Sequence, residues 1–215
     1  MNAFNYVARQ LGRLKIDLLT QRTFLAGQIP SIDNAHIIKT VSTNYEELDI
    51  IFSDYLPLQP DDVIADVGCG KGRVFSYLLY KRKKNPMVGY EINGSVALKT
   101  QKRLSRYKNI EIRCENIFDN FPKKIDVFYL YNPFKEAMTS AFIEKVLQMP
   151  NAPVIIYNNP IHLNLFTSDK FTCQLFDIPV KKYNYNFKFA MIRAVPGSSV
   201  VQPPAAVTRN LRRVA

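Results

Sequence analysis

The sequence predicts an α/β fold: a doubly wound, mostly parallel seven-stranded sheet with an N-terminal helical extension and a closing antiparallel strand. Short apolar runs alternate with amphipathic runs between residues 63 and 157, which is typical of repeated strand–helix–strand units. A glycine-rich turn joins the first apolar run to the first amphipathic run. Two more strand-like runs follow with no helix between them, which favours an antiparallel pair.

Two helices are predicted before the sheet. Residues 4–25 carry an apolar stripe at helical spacing, and Gly27 and Pro30 are expected to end that helix. We expect this helix to pack over the cleft beside the glycine-rich turn. Because the segment is basic and nearly free of acids, a transit peptide or a membrane-surface helix stays open as an alternative. The stripe consists of Phe4, Val7, Ala8, Leu11, Leu14 and Leu18.

The rest of the chain divides into regular elements and a tail. A second helix is expected around Tyr45–Tyr55. Residues 197–215 are rich in Gly, Ser, Pro and Arg and lack apolar periodicity, which indicates a flexible C-terminal tail. The predicted domains are therefore a helical extension over 1–40, an α/β domain over 41–196, and that tail. Predicted strands include 63–65, 87–92, 110–113, 127–131, 153–157, 171–179 and 187–195, and predicted helices are 73–80, 95–107 and 136–148.

The glycine-rich turn indicates which ligand the domain takes. It contains Gly68, Gly70 and Gly72 between a strand and a helix, where bare backbone N–H groups face a ligand. A dinucleotide loop needs a third glycine at the position of Arg73. Asp66 precedes the turn and suits an ammonium group, while Glu91 ends the next strand and suits ribose hydroxyls. Together these groups describe S-adenosylmethionine better than NAD.

This D-x-G-x-G-x-G pattern resembles the first motif of the class I, Rossmann-like S-adenosylmethionine-dependent methyltransferases, and the resemblance covers roughly residues 40–195. It implies S-adenosyl-L-methionine as the cofactor and methylation as the activity. It maps the ribose acid onto Glu91, the residue flanking the adenine onto Ile92, and the third motif onto Glu115-Asn116-Ile117. The implied cofactor-binding residues are Asp66, Gly68, Cys69, Gly70, Gly72, Glu91, Ile92, Glu115, Asn116 and Ile117.

The fourth motif of the family maps onto Asn132, Pro133 and Phe134, after the fourth strand, and these are the implied catalytic residues. An amide oxygen there would accept the N–H groups of an amino nucleophile. Amino-methylating relatives carry N-P-P-Y/F, whereas here Phe134 follows Pro133 directly. The interpretation slightly favours an amino nitrogen on a protein or nucleic acid, because no acid at this end looks like a base for a hydroxyl. A small-molecule or saccharide O-methyltransferase and a non-catalytic nucleic-acid-binding module stay open.

Charge is the second informative feature of the chain. The net charge is +11, and residues 71–113 contain twelve Lys or Arg against only Glu91 and Glu111. Lys99, Lys102, Arg103 and Arg106 form one stripe at helical spacing, which could follow phosphates. Residues 81–84 are expected at the opposite edge of the sheet, as a solvated basic cluster. The face formed by residues 81–106 is therefore a candidate contact for nucleic acid or another polyanion.

Composition excludes several other classes of protein. No apolar stretch approaches the ~20 residues of a membrane span. The three cysteines are scattered, which favours a reducing, cytoplasmic compartment over a disulfide framework. With only two histidines, we expect no metal site.

Overall fold

The protein is described here by a computed structural model, which covers residues 3–25 and 42–195. Seven strands form one sheet, with helices on both faces. The predicted tail 197–215, Gly27 and Pro30 lie outside the described residues. The helices are α1 Ala3–Gln21, α2 Tyr45–Ile50 with a π-helical turn Ile51–Tyr55, α3 Arg73–Tyr80, α4 Gly94–Leu104 and α5 Glu136–Leu147. The strands are β1 Ile64–Val67, β2 Met87–Tyr90, β3 Ile110–Arg113, β4 Val127–Tyr131, β5 Val154–Asn158, β6 Phe171–Val180 and β7 Tyr185–Ala194.

The sheet has the predicted doubly wound topology. Its strand order is β3-β2-β1-β4-β5-β7-β6, and β7 alone runs antiparallel to both of its neighbours. The chain moves outward from β1 to β3 and then returns to the other side of β1 with β4. In open α/β sheets, ligands bind at the carboxyl ends of strands where the order reverses in this way. The candidate site therefore lies at the ends of β1 and β4.

Both faces of the central strands are buried, which explains their continuous apolar runs. On one face, Phe75 and Leu78 of α3 pack against Ile64. On the other, Phe142 of α5 stacks edge-on against Phe128, with ring centroids 5.2 Å apart. The predicted bounds of α3, β3 and β4 agree with the structure residue for residue.

The prediction for the first helix was wrong in its end and in the direction of its apolar stripe. Helix α1 ends at Gln21 rather than at residue 25. Val7, Leu11 and Leu18 of the predicted core stripe are 54%, 59% and 47% exposed. These three residues face solvent, Ala8 and Leu14 are half-buried, and the side chain of Phe4 lies outside the described part of the chain.

The buried face of α1 is polar because the surface beneath it needs hydrogen-bond partners. The Nε2 of Gln21 donates to the carbonyl oxygens of Lys71 and Gly72 in the glycine loop, at 2.9 and 3.2 Å. Asp17 is fully buried and accepts hydrogen bonds from the Tyr45 hydroxyl and the Leu25 backbone N–H. These polar contacts decide the orientation, since burying the leucines would leave buried polar groups without partners.

Two negative findings hold for the described ranges. No helix there combines the length and apolar character that a bilayer crossing requires. No group of three or more His, Cys, Asp or Glu side chains in those ranges could hold a metal ion.

Candidate active site

The glycine loop between β1 and α3 requires glycine for conformational reasons. Gly68, Gly70 and Gly72 have φ values of 78°, 53° and 77°, in the left-handed region that side chains disfavour. The backbone N–H groups of Gly68 and Cys69 donate to the carbonyl oxygen of Tyr90, at 2.9 and 3.0 Å. The loop is thus fixed to the end of β2 before any ligand arrives.

Gly89 in β2 is a loop-positioning residue that sequence analysis missed. A Cβ at Gly89 would lie 2.7 Å from the Sγ of Cys69 and 2.8 Å from the ring of Phe75. Glycine therefore allows the loop and α3 to approach the strand closely. An isolated glycine inside a strand pattern was the available signal for such an approach.

Asp66 lies near the end of β1 and is 4% exposed. Burial, together with the nearby charge of Glu91, raises the pKa of the Asp66 carboxyl to about 8. A cation entering the site would stabilise the ionised form and lower that pKa. The site therefore favours a positively charged ligand group at Asp66.

Glu91 follows β2 and is 5% exposed. Its Oε2 accepts from the Gly70 N–H at 2.9 Å, and its Oε1 accepts from the Asn93 N–H at 2.8 Å. Burial raises the pKa of Glu91, while the hydrogen bonds from Asn93, Gly70 and Ile92 oppose that rise. The carboxylate fixes the glycine loop to the turn that begins α4.

The side chains of the third motif follow β3. Ile117 is buried, whereas Glu115 and Asn116 are half-buried. The Oδ1 of Asn116 accepts from the Phe118 N–H at 3.2 Å, and Glu115 accepts from the Asn120 side chain at 3.2 Å. Both polar side chains therefore stabilise the local turn.

The fourth motif touches the glycine loop. A Cβ built on Gly68 would lie 3.4 Å from the Cβ of Pro133. Asn132 is 3% exposed, has a φ of 41°, and its Oδ1 accepts from the Tyr157 hydroxyl at 2.8 Å. Phe134 packs in the core against Phe142, with ring centroids 5.8 Å apart. The structure thus brings Pro133 against the glycine loop, buries Asn132 against Tyr157, and places the Phe134 ring in the core.

A buried polar network at the ends of β4 and β5 was not anticipated. Asn158 donates to the Oε2 of Glu47 at 3.0 Å and to the Tyr129 hydroxyl at 3.1 Å. That hydroxyl shares a hydrogen bond of 3.0 Å with Thr43. Burial raises the pKa of Glu47, and the hydrogen bonds from Asn44 and Asn158 oppose that rise. Glu47 therefore brings an acid to this end from α2, and both of its oxygens already accept hydrogen bonds, from Asn44 and Asn158.

A small cavity lies between the glycine loop and this network. Arg73, at the position where a dinucleotide loop has glycine, donates to the carbonyl oxygen of Thr43 at 3.3 Å. Its guanidinium also lies 5.5 Å from the ring centroid of Tyr45. The cavity is lined by Ser42, Thr43, Asp66, Gly68, Cys69, Gly70, Lys71, Arg73, Val74, Tyr129 and Tyr131.

Two sequence relatives that match part of the chain are named as methyltransferases. No protein-family model matches the chain. Ribosomal RNA small subunit methyltransferase A of Thermotoga neapolitana is 31% identical over 94 residues, which are 42% of this chain and 34% of that protein. A probable cobalt-precorrin-6B C(15)-methyltransferase (decarboxylating) of Archaeoglobus fulgidus is 29% identical over 119 residues, 54% of this chain and 64% of that protein. The matched part spans about a third of the first relative's length.

Solved structures support the same fold. A methyltransferase from Pyrococcus furiosus aligns with a TM-score of 0.58 at 13% identity, covering 88% of this chain and 98% of that one. An RNA methyltransferase from Salinibacter ruber, in complex with S-adenosyl-L-homocysteine, aligns with a TM-score of 0.53 at 16% identity, covering 73% and 95%. The fold is therefore that of the Rossmann-like methyltransferases, and the two sequence relatives named above are methyltransferases.

Proposed function

We propose that the chain binds S-adenosylmethionine at the carboxyl edge of β1 and β2 and transfers its methyl group to an amino nitrogen of a protein or nucleic acid. The observation that carries this proposal is the pair of buried carboxylates, Asp66 and Glu91, on either side of a loop of left-handed glycines. Asp66 would hold the ammonium group and Glu91 the ribose hydroxyls. We assign this domain to residues 41–196.

The remaining cofactor contacts are proposed from their places around the loop. Cys69 lies within the loop, and Ile92 and Ile117 offer apolar surface to the adenine. The side chains of Glu115 and Asn116 already make local hydrogen bonds. We therefore assign them a weaker role at the adenine edge.

Positioning carries most of the proposed chemistry. The bound cofactor supplies an electrophilic methyl on a positively charged sulfur, which is already a good leaving group. The nucleophile must be aligned with the bond that breaks, and alignment of this kind can lower a barrier by roughly 7 kcal/mol or more. The amide oxygen of Asn132 has two lone pairs, and Tyr157 uses one of them. The second lone pair can accept an N–H of the acceptor and direct its nitrogen toward the methyl.

Two features favour a macromolecular acceptor. The relative from Thermotoga neapolitana is named for ribosomal RNA, and this chain carries a net charge of +11. Arg103 and Arg106, however, are partly engaged by α1: Arg103 donates to Gln21 at 2.7 Å and Arg106 to the Thr20 carbonyl at 2.7 Å. In the face of residues 81–106, Lys99 and Lys102 keep exposed side chains that could follow phosphates. A cytoplasmic location stays a prediction.

A small-molecule acceptor is the second candidate. It is favoured by the relative from Archaeoglobus fulgidus, which is named for a cobalt-precorrin acceptor. A Lys99→Gln/Lys102→Gln variant separates the two candidates. A macromolecular acceptor predicts a lower kcat/KM and a weaker salt dependence in this variant, whereas a small acceptor predicts no change in either.

The cofactor proposal is tested first, by calorimetric titration with S-adenosylmethionine and S-adenosylhomocysteine. We expect binding of both, and a loss of more than about tenfold in affinity for Glu91→Ala, equal to about 1.4 kcal/mol. Glu111→Ala is the matched control, because the Glu111 side chain is 61% exposed. Unchanged affinity in Glu91→Ala would remove Glu91 from the site, and no binding of either compound by the wild type would refute the proposal.

The acceptor is then identified with a labelled methyl group. The chain is incubated with total RNA, total protein and a small-molecule extract, and the label is followed through ribonuclease and protease digestion. An amino acceptor yields methylated nitrogen in nucleosides or amino acids after hydrolysis. Label found only on oxygen or in the small-molecule fraction would contradict the preferred acceptor while keeping the cofactor assignment.

A further inference from the structure

The solvent-facing side of α1 is an exposed apolar surface. Val7, Leu11, Leu18 and Leu19 are 54%, 59%, 47% and 59% exposed, and Phe24, just after the helix, is 42% exposed. We call these five residues the outer face of α1. Single exposed apolar residues are ordinary, but a row of them along one helix marks an interaction surface.

Basic side chains surround the outer face. Lys15 and Arg22 are exposed on the same segment, and Lys99 and Lys102 are exposed on the neighbouring α4. Arg106 links the two elements, because its Nη2 donates to the carbonyl oxygen of Leu19 at 3.1 Å. The one acid in α1 and α4 is the buried Asp17. The exposed charges of α1 and α4 are therefore all positive, and the acids that line a pocket with Lys15, Glu46 and Asp49 of α2, are paired with Arg9 and Lys81.

We propose that the outer face of α1 docks the protein on the surface of an anionic lipid bilayer. The helix would lie in the plane of the interface, with its leucines at the boundary of the acyl chains and its lysines and arginines among the headgroups. The proposal goes beyond the methyltransferase activity and does not depend on it. Its occupant follows from the chemistry: apolar side chains need a hydrocarbon partner, and the surrounding cations need negative charge.

Charge disfavours two other occupants of the outer face, and its apolar side chains disfavour a third. A second copy would bring two surfaces of like charge together. The C-terminal residues 196–215 carry three arginines and no acid, so they share the sign of this surface. A nucleic acid would satisfy the cations but would leave the row of leucines in water.

The test is sedimentation of the full chain with phosphatidylcholine vesicles, with and without phosphatidylglycerol, at about 100 mM salt. We expect binding to the anionic vesicles only. Leu11→Asp/Leu18→Asp should lower the partition coefficient by about tenfold or more, since each leucine loses its apolar burial. Leu175→Asp is the matched control, because Leu175 is 55% exposed on β6 and is not part of the outer face, and it should partition as the wild type does.

A charge variant tests the other half of the proposal. Lys15→Gln/Lys99→Gln/Lys102→Gln should reduce partitioning by about fivefold for each charge removed. Circular dichroism and cofactor titration report whether each variant is folded. The proposal is overturned if the wild type does not bind anionic vesicles or if the leucine variant binds as the wild type does. A third outcome also overturns it: the wild type forms dimers, the leucine variant is monomeric, and neither protein binds vesicles.

Discussion

Asp66 on β1 and Glu47 on α2 are both buried carboxylates, and their surroundings differ. Asp66, on β1, is 4% exposed, and burial together with the charge of Glu91 raises its pKa to about 8. Glu47, on α2, is 2% exposed, and burial raises its pKa as well. At Glu47, however, hydrogen bonds from Asn44 and Asn158 stabilise the charged form.

We infer from this difference that Asp66 is a ligand-binding group and Glu47 a positioning group. The charge on Asp66 is costly in the free protein, so a cationic ligand that pairs with it gains free energy. The carboxylate of Glu47 is already bonded to its neighbours, and it holds α2 against the ends of β4 and β5. We therefore expect changes at Asp66 to alter cofactor affinity, and changes around Glu47 to alter stability.

The largest expected effect comes from Asp66→Asn. Removing the charge should weaken S-adenosylmethionine binding by about a hundredfold or more, equal to about 2.7 kcal/mol, because the ammonium group would be buried without a counter-ion. Calorimetric titration measures the change. Asp61→Asn is the control, since Asp61 is exposed just before β1. An affinity within about threefold of the wild type would show that Asp66 does not face a cation.

On the Glu47 side, Asn158→Ala should lower the free energy of unfolding by about 2 kcal/mol. The substitution leaves the buried oxygens of Glu47 and Tyr129 without the donor they share. Urea unfolding measures the loss, and Asn186→Ala on the exposed side of β7 is the matched control. A loss below about 0.5 kcal/mol would mean that the network rearranges or takes in water.

The surroundings of Asp66 could be predicted from the sequence and those of Glu47 could not, because the contacting residues are separated by different distances along the chain. The glycine loop and Asp66 lie within a few residues of each other, at a strand–helix junction with a local signature. Asn158 and Glu47 are 111 positions apart, and a pattern in one sequence does not pair such residues. The strands were predictable because burial on both faces gives continuous apolar runs.

Helix α1 shows why amphipathicity alone gave the wrong orientation. The helix was predicted correctly as a helix, but its apolar face was expected to be buried. The contacting surface offers the loop carbonyls of Lys71 and Gly72, which require a donor such as Gln21. A helix is oriented by what its neighbours need, and that requirement appears only after the loop has folded.

The third expected effect is a pH dependence of cofactor affinity, which we attribute to Asp66. In the free protein its pKa is about 8, so at lower pH the carboxyl is protonated and must release its proton to pair with a cation. Affinity for S-adenosylmethionine should therefore rise by up to about tenfold per unit as pH increases from 6 toward 8. Titrations in buffers of different ionisation enthalpy should also show proton release on binding.

The same raised pKa has a consequence for the free protein. The folded chain keeps a proton on Asp66 that the unfolded chain loses above about pH 4, so stability should fall as pH rises from about 4 to about 8. Asp66→Asn should remove this contribution and flatten both pH profiles. Equal slopes in the wild type and the variant would assign the dependence to another group.

The smallest expected effect comes from Tyr157→Phe, next to the network of Glu47. The Tyr157 hydroxyl fixes the amide oxygen of Asn132 at 2.8 Å, and Asn132 has a left-handed backbone. Without the hydroxyl, stability should fall by about 1 kcal/mol, and the amide should be free to rotate. Cofactor affinity should stay unchanged while methyl transfer slows several-fold, because the amide would no longer be held in its acceptor-directing orientation. The control is Tyr6→Phe, since Tyr6 is 52% exposed on α1. A loss of cofactor affinity in Tyr157→Phe would instead place Asn132 on the cofactor side of the cleft.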